Sequence, residues 1–178
     1  MEADILHINK LVERCKKGDK KAQFELYKKY YMAMYNTAFR ILNDSYEAED
    51  IMQDSFLAAF TKLNSFSGSV TFGAWLKRIV INNSISALKS KKRLDTIPLD
   101  KVDYKNFNEE EVNYNVTDVK ELLNKVNELK SNYKIALTLN LIEGYDYEEI
   151  AQIMDISYEN SRTTVSRAKN KLRQLLTT

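Results

Sequence analysis

The chain has 178 residues, of which 44% are hydrophobic, and a net charge of +2, so it can form one medium domain or two small ones. Four glycines and one proline leave little material for hairpins or barrels and favour an all-helical fold. A single cysteine, a single histidine and no long apolar run argue against a disulfide framework, a zinc site, a Ser/Cys–His catalytic centre or a membrane span, and we expect a reduced cytoplasmic protein without a cofactor.

The charges are unevenly distributed along the chain. Residues 1–93 carry 16 basic and 10 acidic side chains, whereas residues 94–115 carry 2 and 6. From residue 160 to the end there are five basic residues and no acidic one. Two basic segments that flank acidic ones indicate two separate nucleic-acid contacts rather than one diffuse patch.

Apolar residues at helical spacing predict two helices at the start of the chain. The first covers about residues 5–15 and ends near Gly18, and Asp19 is the predicted N-cap of the second, which runs to about Leu42. We interpret the tyrosines of the second helix as packing residues rather than a cofactor site: Tyr27, Tyr30, Tyr31 and Tyr35.

A third helix, which Ser45 is predicted to cap, has one acidic face. Glu47, Asp50 and Asp54 lie opposite its small and apolar residues, and Asp50 and Asp54 form an unfavourable like-charge pair one turn apart. Leu57 is an apolar residue among these carboxylates. The pattern is typical either of a surface that binds a basic protein partner or of a solvated acidic face.

A small polar loop precedes a basic fourth helix. The loop, Asn64–Ser69, is flanked by Phe66 and Phe72, and the helix begins near Thr71. Residues 77–93 include six basic side chains and no acidic one. Aromatic rings beside cations are what unstacked single-stranded bases require, because bases stack on rings while cations follow the phosphates.

Packing is the alternative for part of this segment. Phe72 and Trp75 would then be core residues and Asn82 a buried, hydrogen-bonded amide. The pattern favours packing for Trp75 and nucleic-acid binding for the loop and the basic flank.

Residues 94–115 contain Pro98, the run Glu109–Glu111 and no helical stripe, which predicts a flexible acidic linker. Apolar stripes from residue 119 to residue 141 then predict two further helices, the second ended by Gly144.

The last segment predicts a helix-turn-helix. Asp146 with Glu149 forms a capping box for a short helix, and Ser157 caps a longer one after a turn at residues 155–157. One face of the longer helix is apolar and the other is polar and basic, which suits a DNA major groove. A solvated C-terminal helix is the alternative. The residues of the predicted inner face are Ser161, Val165, Ala168, Leu172 and Leu176.

Three sequence blocks carry a family resemblance. AEDIMQDSF (Ala48–Phe56), FGAWLKRIVINN (Phe72–Asn83), and EGYDYEEIAQIMDIS (Glu143–Ser157) with SRAKNKLR (Ser166–Arg173) occur in that order. The chain therefore resembles the extracytoplasmic-function subfamily of bacterial sigma factors, in the sigma-70 superfamily. The resemblance implies an N-terminal domain at 1–93, a linker at 94–115 and a helix-turn-helix domain at 116–178.

The resemblance also implies partners and contact residues. It implies binding to the β′ clamp helices and the β subunit of core RNA polymerase, recognition and melting of promoter DNA, an anti-sigma factor as a further partner, a monomer when free, and no membrane insertion. The implied polymerase-binding residues are Glu49, Asp50, Gln53, Asp54 and Phe56. The implied contacts to the minus-ten promoter element are Phe66, Ser67, Ser69, Trp75, Lys77, Arg78, Asn82 and Asn83. The implied contacts to the minus-thirty-five element are Asn160, Arg162, Thr163, Thr164, Ser166, Arg167, Lys169 and Lys171.

Some positions depart from the family pattern. Ser161 and Thr164 stand where the family usually has valine and arginine, so the base preference is not carried over. Two other readings of the whole chain are a stand-alone helix-turn-helix repressor or activator and a helical adaptor without a DNA role. The acidic face of the third helix argues against the first, and the two basic, acid-free segments argue against the second.

Overall fold

The computed structural model describes residues 2–94 and 116–177, with side chains described for 4–91 and 121–177. These residues form two compact units, one within Met1–Pro98 and the other within Leu99–Thr178. Every long element in these ranges is a helix, which confirms the predicted all-helical fold with two helical domains. The predicted linker lies, apart from its first residue, outside the described residues. None of the described helices is long and apolar enough to cross a bilayer.

The N-terminal unit contains helices α1 to α4 and a short 3-10 turn. Their bounds are α1 Glu2–Lys16, α2 Lys20–Leu42, α3 Ser45–Thr61, the 3-10 turn Leu63–Ser65 and α4 Phe72–Leu94. The predicted cap of α2 is confirmed, because the Asp19 carboxylate accepts hydrogen bonds from the backbone N–H groups of Lys21 and Ala22. The Ala22 amide and the Arg14 guanidinium hold the pKa of Asp19 below its usual value.

The cap of α3 differs from the prediction. Asp44, not Ser45, is the N-cap, and its carboxylate accepts a hydrogen bond of 3.0 Å from the Glu47 backbone N–H. Asn43 before it adopts a left-handed conformation with φ 58°, which ends α2 and turns the chain so that Asp44 reaches the first turn of α3. Ser45 is already the first helical residue.

Burial of one face of α4 against α2 and α3 builds the core of this unit. Phe72, Leu76 and Val80 on α4 are fully buried. The Phe72 ring lies 5.6 Å from the Tyr30 ring and 5.9 Å from the Trp75 ring, measured between centroids. These contacts fix the start of α4, and with it the loop that precedes the helix.

The C-terminal unit contains helices α5 to α8. Their bounds are α5 Val116–Asn127, α6 Ser131–Leu137, α7 Tyr147–Met154 and α8 Tyr158–Leu176, and α6 continues as a π-helical turn, Thr138–Ile142. Gly144 follows with φ 79°, a left-handed conformation that favours glycine, which confirms the predicted end of this helix. Residues 134–139 are all buried.

The predicted helix-turn-helix corresponds to α7 and α8. Asp146 and Glu149 form the complete capping box, and the Ser157 hydroxyl accepts a hydrogen bond of 3.2 Å from the Asn160 backbone N–H. Asp155, with φ 58°, makes the turn between the helices. The predicted inner face is confirmed from Ser161 to Leu172, but Leu176 is 48% exposed because α8 ends there.

We expect Gly73→Ala to destabilise the N-terminal unit. A Cβ atom at Gly73 would lie 2.8 Å from Cε1 of the Tyr30 ring, so the ring, which packs against Phe72, would have to shift. Such overpacking costs about 1–3 kcal/mol in the free energy of unfolding. Urea denaturation followed by the fluorescence of Trp75, the only tryptophan, measures it. Tyr30→Leu in the same chain should recover part of the loss, and an equal loss with or without the tyrosine would contradict this cause.

We expect Lys134→Met to stabilise the C-terminal unit at neutral pH, by about 1 kcal/mol. Lys134 is buried in α6, and desolvation lowers its pKa, so the charged form is less favourable in the folded state than in the unfolded state. Between the lowered pKa and the usual one, the unfolded chain binds more protons and stability rises with pH.

Lys134→Met should remove this rise in stability with pH. Thermal unfolding by circular dichroism checks this, with the Trp75 fluorescence transition of the N-terminal unit as an internal control that should stay unchanged. A variant that keeps the rise would show that another group causes it.

Candidate protein-binding and nucleic-acid surfaces

The outer face of α3 carries carboxylates that are available to a partner. Glu49, Asp50, Gln53 and Asp54 are all exposed, as the helical spacing predicted for Asp50, Gln53 and Asp54, whereas Glu49 was implied by the resemblance alone. The Gln53 amide donates a hydrogen bond of 3.3 Å to Glu49, but neither Asp50 nor Asp54 forms an ion pair with a residue that the structure describes. Leu57, 67% exposed, lies one turn beyond Asp54. Two unpaired carboxylates beside an exposed leucine suit a partner that offers cations around an apolar contact.

Glu47, on the same helix, is used inside the unit. Its carboxylate forms an ion pair of 2.6 Å with the Lys91 ammonium group, which joins the first turn of α3 to the end of α4. The unpaired part of the acidic face of α3 therefore begins at Glu49.

Phe56 does not lie on this surface. Its side chain is 2% exposed, and its ring packs 4.8 Å from the Tyr27 ring and 6.0 Å from the Phe60 ring, measured between centroids. Contact between Phe56 and a partner, as the resemblance implied, does not fit this burial. The ring instead packs the inner face of α3 against Tyr27 of α2.

An aromatic residue that the sequence analysis assigned to packing lies closer to solvent. Tyr31 stacks on Tyr27 with centroids 5.8 Å apart, and it is 39% exposed. Because Tyr27 packs on Phe56, Tyr31 continues the surface of α3 onto α2. The i, i+4 spacing of the two tyrosines was the available signal.

The loop before α4 presents small polar groups over an aromatic base. The hydroxyls of Ser67 and Ser69 are exposed and 3.0 Å apart, and Gly68 between them adopts φ 77°. Phe66 is 7% exposed, and its ring contacts Trp75 at 5.2 Å between centroids. The prediction that Phe66 is an exposed stacking platform is therefore wrong. The ring instead anchors the loop.

On α4, two neighbouring asparagines have different environments. Asn82 is exposed, whereas Asn83 is half-buried and its amide donates a hydrogen bond of 3.0 Å to the Ser55 hydroxyl on α3. Trp75 is half-buried in the aromatic cluster, in agreement with its interpretation as a packing residue. Lys77 and Arg78 are half-buried and both interact with other groups of the protein.

The outward face of α8 is polar and basic, as predicted. Thr164 and Lys169 are half-buried, while the other predicted contacts are exposed: Asn160, Arg162, Thr163, Ser166, Arg167 and Lys171. The Thr163 hydroxyl donates to the Glu159 carbonyl at 2.8 Å, so its proton is already used. The Arg162 guanidinium carbon lies 5.9 Å from the centre of the Tyr158 ring.

A buried serine fixes α8 on α7. The Ser161 hydroxyl is inaccessible to solvent and donates a hydrogen bond of 2.7 Å to the Tyr147 carbonyl oxygen in the first turn of α7. This bond sets the position of α8 along α7, and therefore the direction in which the basic face points.

Comparisons with known proteins match both units. The model of Sigma-70 region 2 matches residues 26–94 and that of Sigma-70, region 4 matches residues 120–172. The ECF RNA polymerase sigma-E factors of Salmonella typhimurium and Escherichia coli are each 29% identical to the chain over 181 residues, which cover 93% of this chain and 94% of theirs. The RNA polymerase sigma-H factor of Pseudomonas aeruginosa is 28% identical, covering 93% of this chain and 92% of its own.

Two solved structures share the fold. The sigma factor RpoE of Bartonella quintana, crystallised with the anti-sigma factor NepR, gives a TM-score of 0.63 at 24% identity and covers 86% of this chain and 95% of its own. CnrH in complex with the cytosolic domain of CnrY gives 0.58 at 21% identity, over 93% of this chain and 94% of its own.

Proposed function

This chain belongs to the extracytoplasmic-function subfamily of the sigma-70 family, as an alternative sigma factor that directs transcription initiation, and on that premise we propose how its two units divide the task. The N-terminal unit binds core RNA polymerase through α3 and opens promoter DNA through α4 and the loop before it. The C-terminal unit recognises the upstream promoter element as duplex DNA through α8. The protein acts in the cytoplasm and catalyses no reaction of its own.

The unpaired carboxylates of α3 carry the proposal for polymerase binding. Asp50 and Asp54 repel each other on an exposed face and have no described cation to compensate them. A basic partner would remove this repulsion, and Leu57 offers it an apolar contact near the centre. We assign the contact with the β′ clamp helices to this surface, with Glu49 and Gln53 at its edge and Tyr31 as an added contributor.

The contrast between Asn82 and its neighbours supports the proposal for promoter opening. Asn82 is exposed on α4, and the hydroxyls of Ser67 and Ser69 are exposed in the loop. Hydroxyl and amide groups can hydrogen-bond the edges of an unstacked base, and the basic residues of α4 attract the phosphates. Flipped bases are commonly also held by stacking, but Phe66 and Phe72 are buried beneath the loop, so hydrogen bonds from these polar groups carry the recognition.

The buried serine between α7 and α8 supports the proposal for the upstream element. Arg162 and Arg167 are exposed on the face that Ser161 directs outward, and an exposed arginine can donate two hydrogen bonds to guanine in the major groove. The C-terminal domain as delimited in the sequence analysis has no net charge, with nine basic and nine acidic residues in 116–178. It therefore binds DNA weakly without the polymerase.

We also propose that an anti-sigma factor restrains this chain. The support is the fold shared with the sigma factor RpoE of Bartonella quintana, which was solved in complex with the anti-sigma factor NepR.

Charge reversal at Asp50 and Asp54, both to Lys, should abolish association with core RNA polymerase, because the surface would then repel a basic partner. Binding of the labelled protein to core enzyme, measured by fluorescence anisotropy, checks this. A matched control reverses two exposed carboxylates elsewhere, Glu25→Lys with Glu121→Lys, and should bind like the original chain. Equal affinity of the two double variants would refute the assignment of α3.

Arg167→Ala should weaken binding of the holoenzyme to duplex promoter DNA by about 1–3 kcal/mol if the side chain recognises a base. Electrophoretic mobility shifts on promoter sequences with single base changes measure the loss of discrimination. A loss that is equal for all sequences and lowers the salt dependence would instead indicate a phosphate contact.

Arg173→Ala is the control for this experiment. Arg173 lies in the last turn of α8, where its guanidinium donates a hydrogen bond of 2.8 Å to Asn170. If this variant lost as much affinity as Arg167→Ala, the outward face of α8 would not be the recognition surface.

A further inference from the structure

Besides the exposed Glu47–Lys91 ion pair, a partly buried side-chain hydrogen bond joins α3 to α4 inside the N-terminal unit. The Asn83 amide donates a hydrogen bond of 3.0 Å to the Ser55 hydroxyl oxygen, across 28 positions of sequence. The Ser55 hydroxyl in turn donates its only proton to the Ile51 carbonyl oxygen at 2.6 Å. Ser55 is fully buried and Asn83 half-buried. Because the serine proton is used, the Ser55 oxygen can only accept, and the Asn83 amide on α4 supplies the donor.

This contact restricts a motion that the surrounding packing allows. Apolar helix faces resist separation but resist rotation and sliding less, since dispersion contacts have little directional preference. A hydrogen bond weakens steeply as its geometry departs from the optimum. The bond between Asn83 and Ser55 therefore restrains the rotation and the axial position of α4 on α3 at a buried point, whereas the Glu47–Lys91 ion pair acts at the exposed end of α4.

Its position in the chain gives this restriction a functional consequence. Ser55 directly follows Asp54 on the polymerase-binding face, and Asn83 directly follows Asn82 on the DNA-opening helix. Successive residues of a helix point about 100° apart, so an inward Asn83 determines the direction of Asn82. The bond thus sets the placement of the DNA-facing amide relative to the face that holds the polymerase.

We propose that Asn83 is a positioning residue for promoter opening, which acts through Ser55, and that it does not contact the minus-ten DNA. The inference rests on the proposed function, in which α3 binds the polymerase and α4 opens the promoter. It assigns the two adjacent asparagines to different tasks: Asn82 meets the DNA, and Asn83 holds α4 in the orientation that allows this.

A double-mutant cycle on the complete holoenzyme tests the proposal. Promoter opening is followed by 2-aminopurine fluorescence in the non-template strand of the minus-ten element, and core binding is measured on the same proteins. Asn83→Ala and Ser55→Ala should each slow opening about threefold to tenfold, the equivalent of one hydrogen bond, without changing core affinity. The double variant should be no slower than either single one.

Asn82→Ala is the matched control, because it removes the same side chain one residue earlier. Its effect on opening should add to that of Ser55→Ala, and it alone should change the preference among bases at one promoter position. Ser55→Ala preserves the size and helical character of a buried site, so its fold should persist, as circular dichroism will verify. Its effect therefore tests the bond even if an Asn83 variant folds poorly.

Two outcomes would overturn the proposal, and they are distinguishable. If Asn83→Ala slows opening and alters base preference while Ser55→Ala behaves like the original chain, Asn83 contacts DNA directly. If Asn82→Ala, Asn83→Ala and Ser55→Ala all leave opening unchanged, the assignment of promoter opening to α4 fails as well. Coupled losses at Ser55 and Asn83 with a silent Asn82 would support the positioning role and count only against Asn82.

Discussion

The N-terminal unit depends on the burial of one face of α4 against α2 and α3. Phe72, Leu76 and Val80 lose all exposure in this contact, and the aromatic ring at position 72 also holds the loop before the helix. Because α3 and α4 bury their apolar faces in the same core, their polar faces point outward. Acidic residues remain on α3 and basic residues on α4, so one packing arrangement creates two surfaces suited to different partners.

In each unit, a partly buried hydrogen bond fixes one helix on the helix that supports it. Asn83 bonds to Ser55 between α4 and α3, and Ser161 bonds to the Tyr147 carbonyl between α8 and α7. In both places a helix assigned to DNA is fixed on its neighbour by a directional bond within apolar packing. Such bonds add little to stability, about 1 kcal/mol each, but they select one orientation among several that the apolar contacts permit.

Local patterns were sufficient to predict most of the fold. Caps at Asp19, Asp146 and Ser157 depend on residues within one turn, and the amphipathic stripes gave the helices and most of their inner faces. The wrong cap of α3 has the same origin, because Asp44 and Ser45 are adjacent residues of the capping type and only the backbone turn at Asn43 distinguishes them.

The candidate surfaces were less predictable because they depend on contacts distant in sequence. Phe56 and Phe66 belong to segments that resemble known contact regions, but periodicity does not show whether an aromatic ring at the edge of a stripe faces a partner or the core. The pairing of Asn83 with Ser55 and of Glu47 with Lys91 joins separate helices, so no local pattern distinguishes these residues from their exposed neighbours.

Transcription in vitro with core RNA polymerase, with and without this protein, tests the central claim most directly. Sequencing of the RNA 5′ ends on genomic DNA would locate the start sites. The account predicts a defined set of starts that share upstream and minus-ten sequences and that require the protein, while the protein alone binds the same DNA weakly. Unchanged start sites, together with tight and specific DNA binding by the protein without polymerase, would contradict it and indicate a stand-alone helix-turn-helix regulator.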